Sequence, residues 1–121
     1  MKVRLSVDFK IEAAHKSLGF SKDHPNSRMH GHSYVGTVTV VGPVDPSTGF
    51  LMAFESLVER VNRVAGALDH RVLNDIEGLE APSSEHIAAW IWNRLKPDLA
   101  SLYEVRISRP TCGVSVSYFG E

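Results

Sequence analysis

Strand-like alternation marks both ends of this chain, and helix-like periodicity fills its middle. Val3, Leu5, Val7 and Phe9 alternate with Arg4, Ser6, Asp8 and Lys10, the period of two expected of a strand with one buried face. The pattern predicts a first strand that continues through Ile11 towards His15. Ser33 to Val41 is rich in Val, Thr and Tyr and predicts a second strand. Tyr103 to Ser108 and Val114 to Tyr118 alternate again, joined by Arg109-Pro110-Thr111-Cys112-Gly113 as a hairpin. Between these pairs Phe54, Leu57, Val58, Val61, Val64, Ala65 and Leu68 recur at three and four, the stripe of an amphipathic helix. A second helix follows, capped by Ser83 or Ser84, with Ile87, Ala88, Trp90, Ile91 and Leu95 as its stripe and Pro97 as its stop. Residues 17–29, 43–49 and 69–82 read as loops and turns.

The order β-β-α-α-β-β predicts one α+β domain over residues 1–121, a four-stranded antiparallel sheet with two helices on one face. The other face of the sheet then calls for cover, and a homo-oligomer is expected. A chain of 121 residues is long enough to bury a core of its own. Its longest uncharged apolar-rich run, Val35 to Val44, is shorter than the roughly 20 residues of a membrane span. Lys2, Arg4, Asp8 and Lys10 break up any leader-like apolar stretch. No membrane partner is expected, and a cytoplasmic location follows. The net charge of −1 and the lack of a strongly basic stretch argue against nucleic acid. The single cysteine, Cys112, excludes an intrachain disulfide.

The unusual residue is histidine. Four of the six fall between His15 and His32. His30 and His32 flank Gly31 at the start of the second strand, so their side chains share a face. His15 ends the first strand, and pairing across the 17–29 loop brings it beside them. Three neutral imidazoles suit Zn²⁺ and leave its fourth position open, the catalytic type of site. Taken one at a time, the same residues are equally surface or hydrogen-bonded histidines, and spacing alone does not separate the two.

Ile11-Glu12-Ala13-Ala14-His15 and Met29-His30-Gly31-His32-Ser33-Tyr34 resemble the 6-pyruvoyl-tetrahydropterin synthase family. Within it, the bacterial 6-carboxytetrahydropterin synthases of the queuosine pathway are the nearer likeness. Further segments agree in order: Val44 to Gly49, Leu68-Asp69-His70, Leu73-Asn74-Asp75, Pro82-Ser83-Ser84-Glu85, Trp90-Ile91-Trp92 and the final Gly120-Glu121. Each is short, but their joint order is specific. The resemblance implies the tunnelling fold, with trimers whose sheets close into a barrel and often pair as hexamers. It implies zinc on His15, His30 and His32. It also implies a pterin substrate, 7,8-dihydroneopterin triphosphate, bound between subunits. Asp69 and His70 match a catalytic Asp-His pair, in which an acid orients the ring and stabilises its charged form. Glu85 matches the pterin pocket, although an acid in a first helical turn is also favoured by the helix dipole.

The chain departs from that family where chemistry depends on it. The catalytic cysteine is expected four or six residues before His30, where this sequence has Asn26 and His24. His24 is the one replacement base there, since imidazole titrates near neutrality. A glutamate that anchors the pterin ring is expected just before Thr111, and Pro110 stands in its place. Ala53 replaces an Asp or Asn before the first helix, which removes a cap. The expectation is therefore a zinc-dependent lyase acting on a dihydropterin. Its alternative is a zinc-containing pterin- or purine-like ligand-binding oligomer without that activity.

Overall fold

In the computed structural model, which describes residues 1–121, the elements follow the expected order. Strands β1 (Lys2–His15), β2 (His30–Pro43), β3 (Leu102–Arg109) and β4 (Val114–Tyr118) form one antiparallel sheet in the order β1-β2-β3-β4. β2 starts earlier and ends later than its Val/Thr/Tyr-rich run, because β1 supplies a ladder partner from Lys2↔Pro43 to His15↔His30. Hydrogen bonding between strands overrides residue preference at both ends.

Helices α1 (Phe54–Gly66) and α2 (Ser84–Leu95) cover one face of this sheet. Phe9 and Ile11 of β1, Tyr34, Val38 and Val40 of β2, and Val105 and Ile107 of β3 point at them. There they meet Leu57, Val61, Ile87 and Ile91 in one buried cluster. The opposite face carries Arg4, Ser6, Asp8, Lys10 and Glu12. Its neighbours are linked across strands, Ser6 to Thr39 at 2.7 Å and Thr37 donating to Asp8 at 2.8 Å. This face is hydrophilic, so apolar burial does not by itself demand that it be covered. No helix is long and apolar enough to cross a membrane.

The helix ends refine the sequence pattern. Ser83, rather than Ser84, caps α2 by accepting the His86 N–H at 3.1 Å. Ala53 sits at the α1 cap position with no side-chain bond, as its residue type implies. Phe54 lies on the α1 stripe yet is 58% exposed, with the exposed Phe50 ring as its aromatic neighbour at 6.5 Å. Trp92 lies off the α2 stripe yet is buried, edge-on to Tyr118 at 5.6 Å. Two opposite shifts are expected in urea unfolding. Ser83→Ala costs about 1 kcal/mol, and Ala53→Asp, at an extended cap position ready for it, gains up to about 1 kcal/mol. Matching midpoints for both variants and the parent would contradict the capping assignment.

The 69–82 segment is more ordered than a loop reading implies. The His70 N–H donates to the Glu12 carbonyl at 2.6 Å and the Ala14 N–H to that of Arg71 at 3.0 Å, and Val72 bridges Ala14 in parallel. Asn74 accepts from the Lys16 N–H and donates to its carbonyl, each at 3.0 Å. The end of β1 that carries His15 is thereby pinned from the outside.

Candidate metal centre and adjoining cleft

The β1–β2 register sets His15 opposite His30 and Ala13 opposite His32, so the three imidazoles meet on the helix-facing side. Their ring centroids lie 4.7, 4.9 and 5.1 Å apart. One ring nitrogen from each falls within 4.8 Å of the others. His15 is buried and the other two are half-buried. The His15 Nδ1 lies 3.0 Å from the Pro82 carbonyl oxygen, and the His30 Nδ1 lies 2.7 Å from that of Arg28. A carbonyl only accepts, so both rings donate from Nδ1 and keep a lone pair on Nε2. Such outer contacts orient metal-binding imidazoles.

Burial is the largest influence on His15 and lowers its pKa, against the pull of the Pro82 bond. Burial, followed by the Arg109 charge, holds His32 down to about 4. Both are neutral at physiological pH, the form that ligates. Three buried side-chain polar atoms have no hydrogen-bond partner: His15 Nε2, Tyr34 OH and Arg109 Nε. All belong to this one place. Orphaned buried polar atoms are rare in native cores, and their convergence fits a bound group. The donor set suits one Zn²⁺.

Tyr34 and Arg109 are the residues that the sequence reading missed. Tyr34 continues the face of His30 and His32, and burial raises its hydroxyl to about 12, so it stays a donor. Arg109 donates to the His32 Nε2 at 2.9 Å. A signal existed for both. Val105, Ile107 and Arg109 alternate along β3, which puts a cation where the core-facing pattern asks for an apolar side chain.

A cleft of about 510 Å³ opens beside the histidines, with His15, Asn26, Ser83, Glu85, Arg109 and Val116 in its lining. Asn26 and Glu85 therefore face the same space as His15, with Glu85 on the exposed first turn of α2. His24, the candidate base, is not in its lining but stands beside Phe20, which is. Its ring stacks on Phe20 at 4.5 Å, and its Nδ1 accepts the Asn26 N–H at 3.0 Å, capping the short turn Pro25–Ser27. A proline-led turn needs that acceptor, and the demand is met locally. Pro110 is exposed and also lies outside the cleft lining.

Asp69 and His70 form a pair, and His70 lines another hollow. Asp69 accepts the Glu12 N–H at 2.8 Å and holds the His70 Nδ1 at 2.9 Å. The Glu12 bond first, and the His70 contact second, lower its pKa below the usual carboxylate value. His70 takes a left-handed φ of 59°, uncommon for a residue with a Cβ and imposed here by its anchorage to Glu12. Its hollow, about 480 Å³, is also lined by Gly31, His32 and Ser33.

The sequence model of the 6-pyruvoyl tetrahydropterin synthase family matches residues 4–121. The chain is 37% identical over 120 residues to a 6-carboxy-5,6,7,8-tetrahydropterin synthase of Synechocystis sp., an alignment covering 93% of this chain and 89% of that protein. It is 33% identical over 109 residues to the dihydroneopterin monophosphate aldolase of Pyrococcus furiosus, covering 90% and 87% respectively. The structure of the Caenorhabditis elegans 6-pyruvoyl tetrahydropterin synthase superposes with a TM-score of 0.89 at 27% identity, over 100% of this chain and 97% of that one.

Proposed function

Because the chain belongs to the 6-pyruvoyl tetrahydropterin synthase family, we propose that it is a zinc-dependent lyase of the 6-carboxytetrahydropterin synthase type, acting on a dihydropterin such as 7,8-dihydroneopterin triphosphate. The observation that carries this reading is the convergence of His15, His30 and His32, with the orphaned His15 Nε2, where His15 lines a cleft. When bound, zinc supplies Lewis-acid polarisation and a template for the oxygens of the substrate side chain. The three histidines hold it, and the carbonyls of Pro82 and Arg28 fix the donor nitrogens of His15 and His30. Glu85 accepts N–H donors of the ring, a charge-assisted contact. His70 carries a proton, and Asp69, kept ionised by its bonds, stabilises the charged ring.

The working unit in this reading is a homo-oligomer, a trimer or a hexamer built on a barrel of sheets. Two features support it. β4, and β1 before Glu12, are open edges of the sheet, and unpaired edges invite pairing with another chain. On one chain, the His70 hollow and the Glu85 cleft are separate, and a second copy can bring the two together.

The test is turnover. Purified, zinc-loaded protein is expected to consume 7,8-dihydroneopterin triphosphate in a chromatographic assay. If that compound and dihydroneopterin both emerge unchanged, the lyase reading fails. The second reading, a ligand-binding oligomer, is favoured by Asn26 at the cleft and by the proline at position 110. Asn26→Cys combined with Pro110→Glu separates the two, because activity confined to that double variant assigns the natural chain to binding.

A further inference from the structure

We propose that Arg109 is an oxyanion receptor of the cleft, held by His32 and passed to the ligand when a metal takes the three histidines. The ligand class then carries a phosphate or carboxylate close to its metal-bound end. This rests on the metal-centre reading above.

Arg109 ends β3 on the helix-facing side and donates to the His32 Nε2 at 2.9 Å. Its Nε is buried without a partner, and its side chain lines the cleft with His15 and Glu85. No carboxylate pairs with it: the ion pairs of the chain are Arg63–Glu59 and His70–Asp69. A guanidinium stays charged at any physiological pH, and a partly buried cation with only a neutral imidazole for company is costly.

The His32 Nε2 has one lone pair. It accepts from Arg109 or it ligates a metal, and it does not do both. A divalent ion at the histidines also repels a guanidinium a few ångströms away. Metal entry therefore frees the fork, and the cleft is the space it already borders. The planar fork matches an oxyanion in a bidentate manner. Glu85, on the same cleft, takes N–H donors. The recognised molecule has a donor edge and an anionic end.

Coupling between metal and anion is the readout. Zn²⁺ is titrated calorimetrically into chelator-stripped wild type, Arg109→Met and Arg109→Lys, at constant ionic strength set with chloride. Each titration is run with and without sulfate, a tetrahedral stand-in for phosphate, or acetate. In wild type the better-matched anion is expected to tighten zinc binding about tenfold, an ordinary coupling. Which anion is stronger distinguishes a phosphate source from a carboxylate source. Arg109→Met is expected to bind zinc more tightly than wild type without any anion and to lose the anion effect. Arg109→Lys keeps the charge without the fork and retains a weak effect at most. Unchanged wild-type affinity with both anions overturns the proposal, as does an equal shift in Arg109→Met. No zinc binding by wild type refutes the metal centre and this proposal together. Coupling in a protein that turns over no pterin removes the lyase reading alone.

Discussion

Replacing His30 with alanine is expected to abolish zinc loading at the candidate centre and to leave the fold standing. Zinc content is expected to fall from about one ion per chain to a small fraction of that. Affinity drops by more than about 100-fold, because losing an outer contact alone typically costs 10- to 100-fold. His30 is half-buried and lies outside the buried cluster of Phe9, Ile11, Val38 and their neighbours. Its removal therefore takes a ligand and no core packing. His15→Ala is a less clean experiment, since His15 is 3% exposed and its loss also opens a cavity. Metal analysis and a thermal melt measured on the same sample decide the matter. Near-stoichiometric zinc in His30→Ala refutes the assignment. Chelation gives the companion result: a catalytic centre loses its metal and stays folded, whereas a zinc-held domain unfolds.

The second large effect is expected at Gly36. In the β1–β2 register Gly36 faces Phe9, and the ring lies across the glycine. A Cβ there would sit 2.0 Å from the Phe9 Cζ and 2.4 and 2.5 Å from the two adjacent ring carbons. Phe9 is buried among the core residues and has little room to retreat. Gly36→Ala is expected to destabilise the chain by about 1–3 kcal/mol, the range of overpacked cores. A shorter side chain at position 9 relieves the clash. The Gly36→Ala, Phe9→Val pair is therefore expected to be less destabilised than the sum of its parts, with a coupling of about 0.5–3 kcal/mol. Urea unfolding of the two single variants and the pair measures it, and simple additivity contradicts the contact. The effect bears on function because the same ladder ends at His15↔His30.

Much of the site was legible before any coordinates. His15, His30 and His32 follow from strand periodicity and one assumed hairpin, and the register realises that hairpin residue by residue. Glu85 and Asn26 were named from motif positions, and both line the cleft. The cap that the His24 Nδ1 gives the Asn26 N–H is a contact that residue type alone does not reveal. Asp69 and His70 are legible as a pair, whereas their docking on the Glu12 backbone and the placement of His70 on a different hollow from Glu85 are not.

The sequence by itself determined the element order, the core-facing side of the first strand and the candidate ligand set. Each of these depends on side-chain direction along one stretch of backbone, which repeats every two or 3.6 residues. The tertiary structure alone decided that Arg109 leans on His32 and that the Pro82 and Arg28 carbonyls orient the imidazoles. It also decided that Trp92 packs against Tyr118. Most of these contacts join residues distant in the chain, and two of the acceptors are backbone carbonyls that every residue type carries. Residue identity and periodicity hold no record of which carbonyl, or which distant side chain, the folded chain brings within reach.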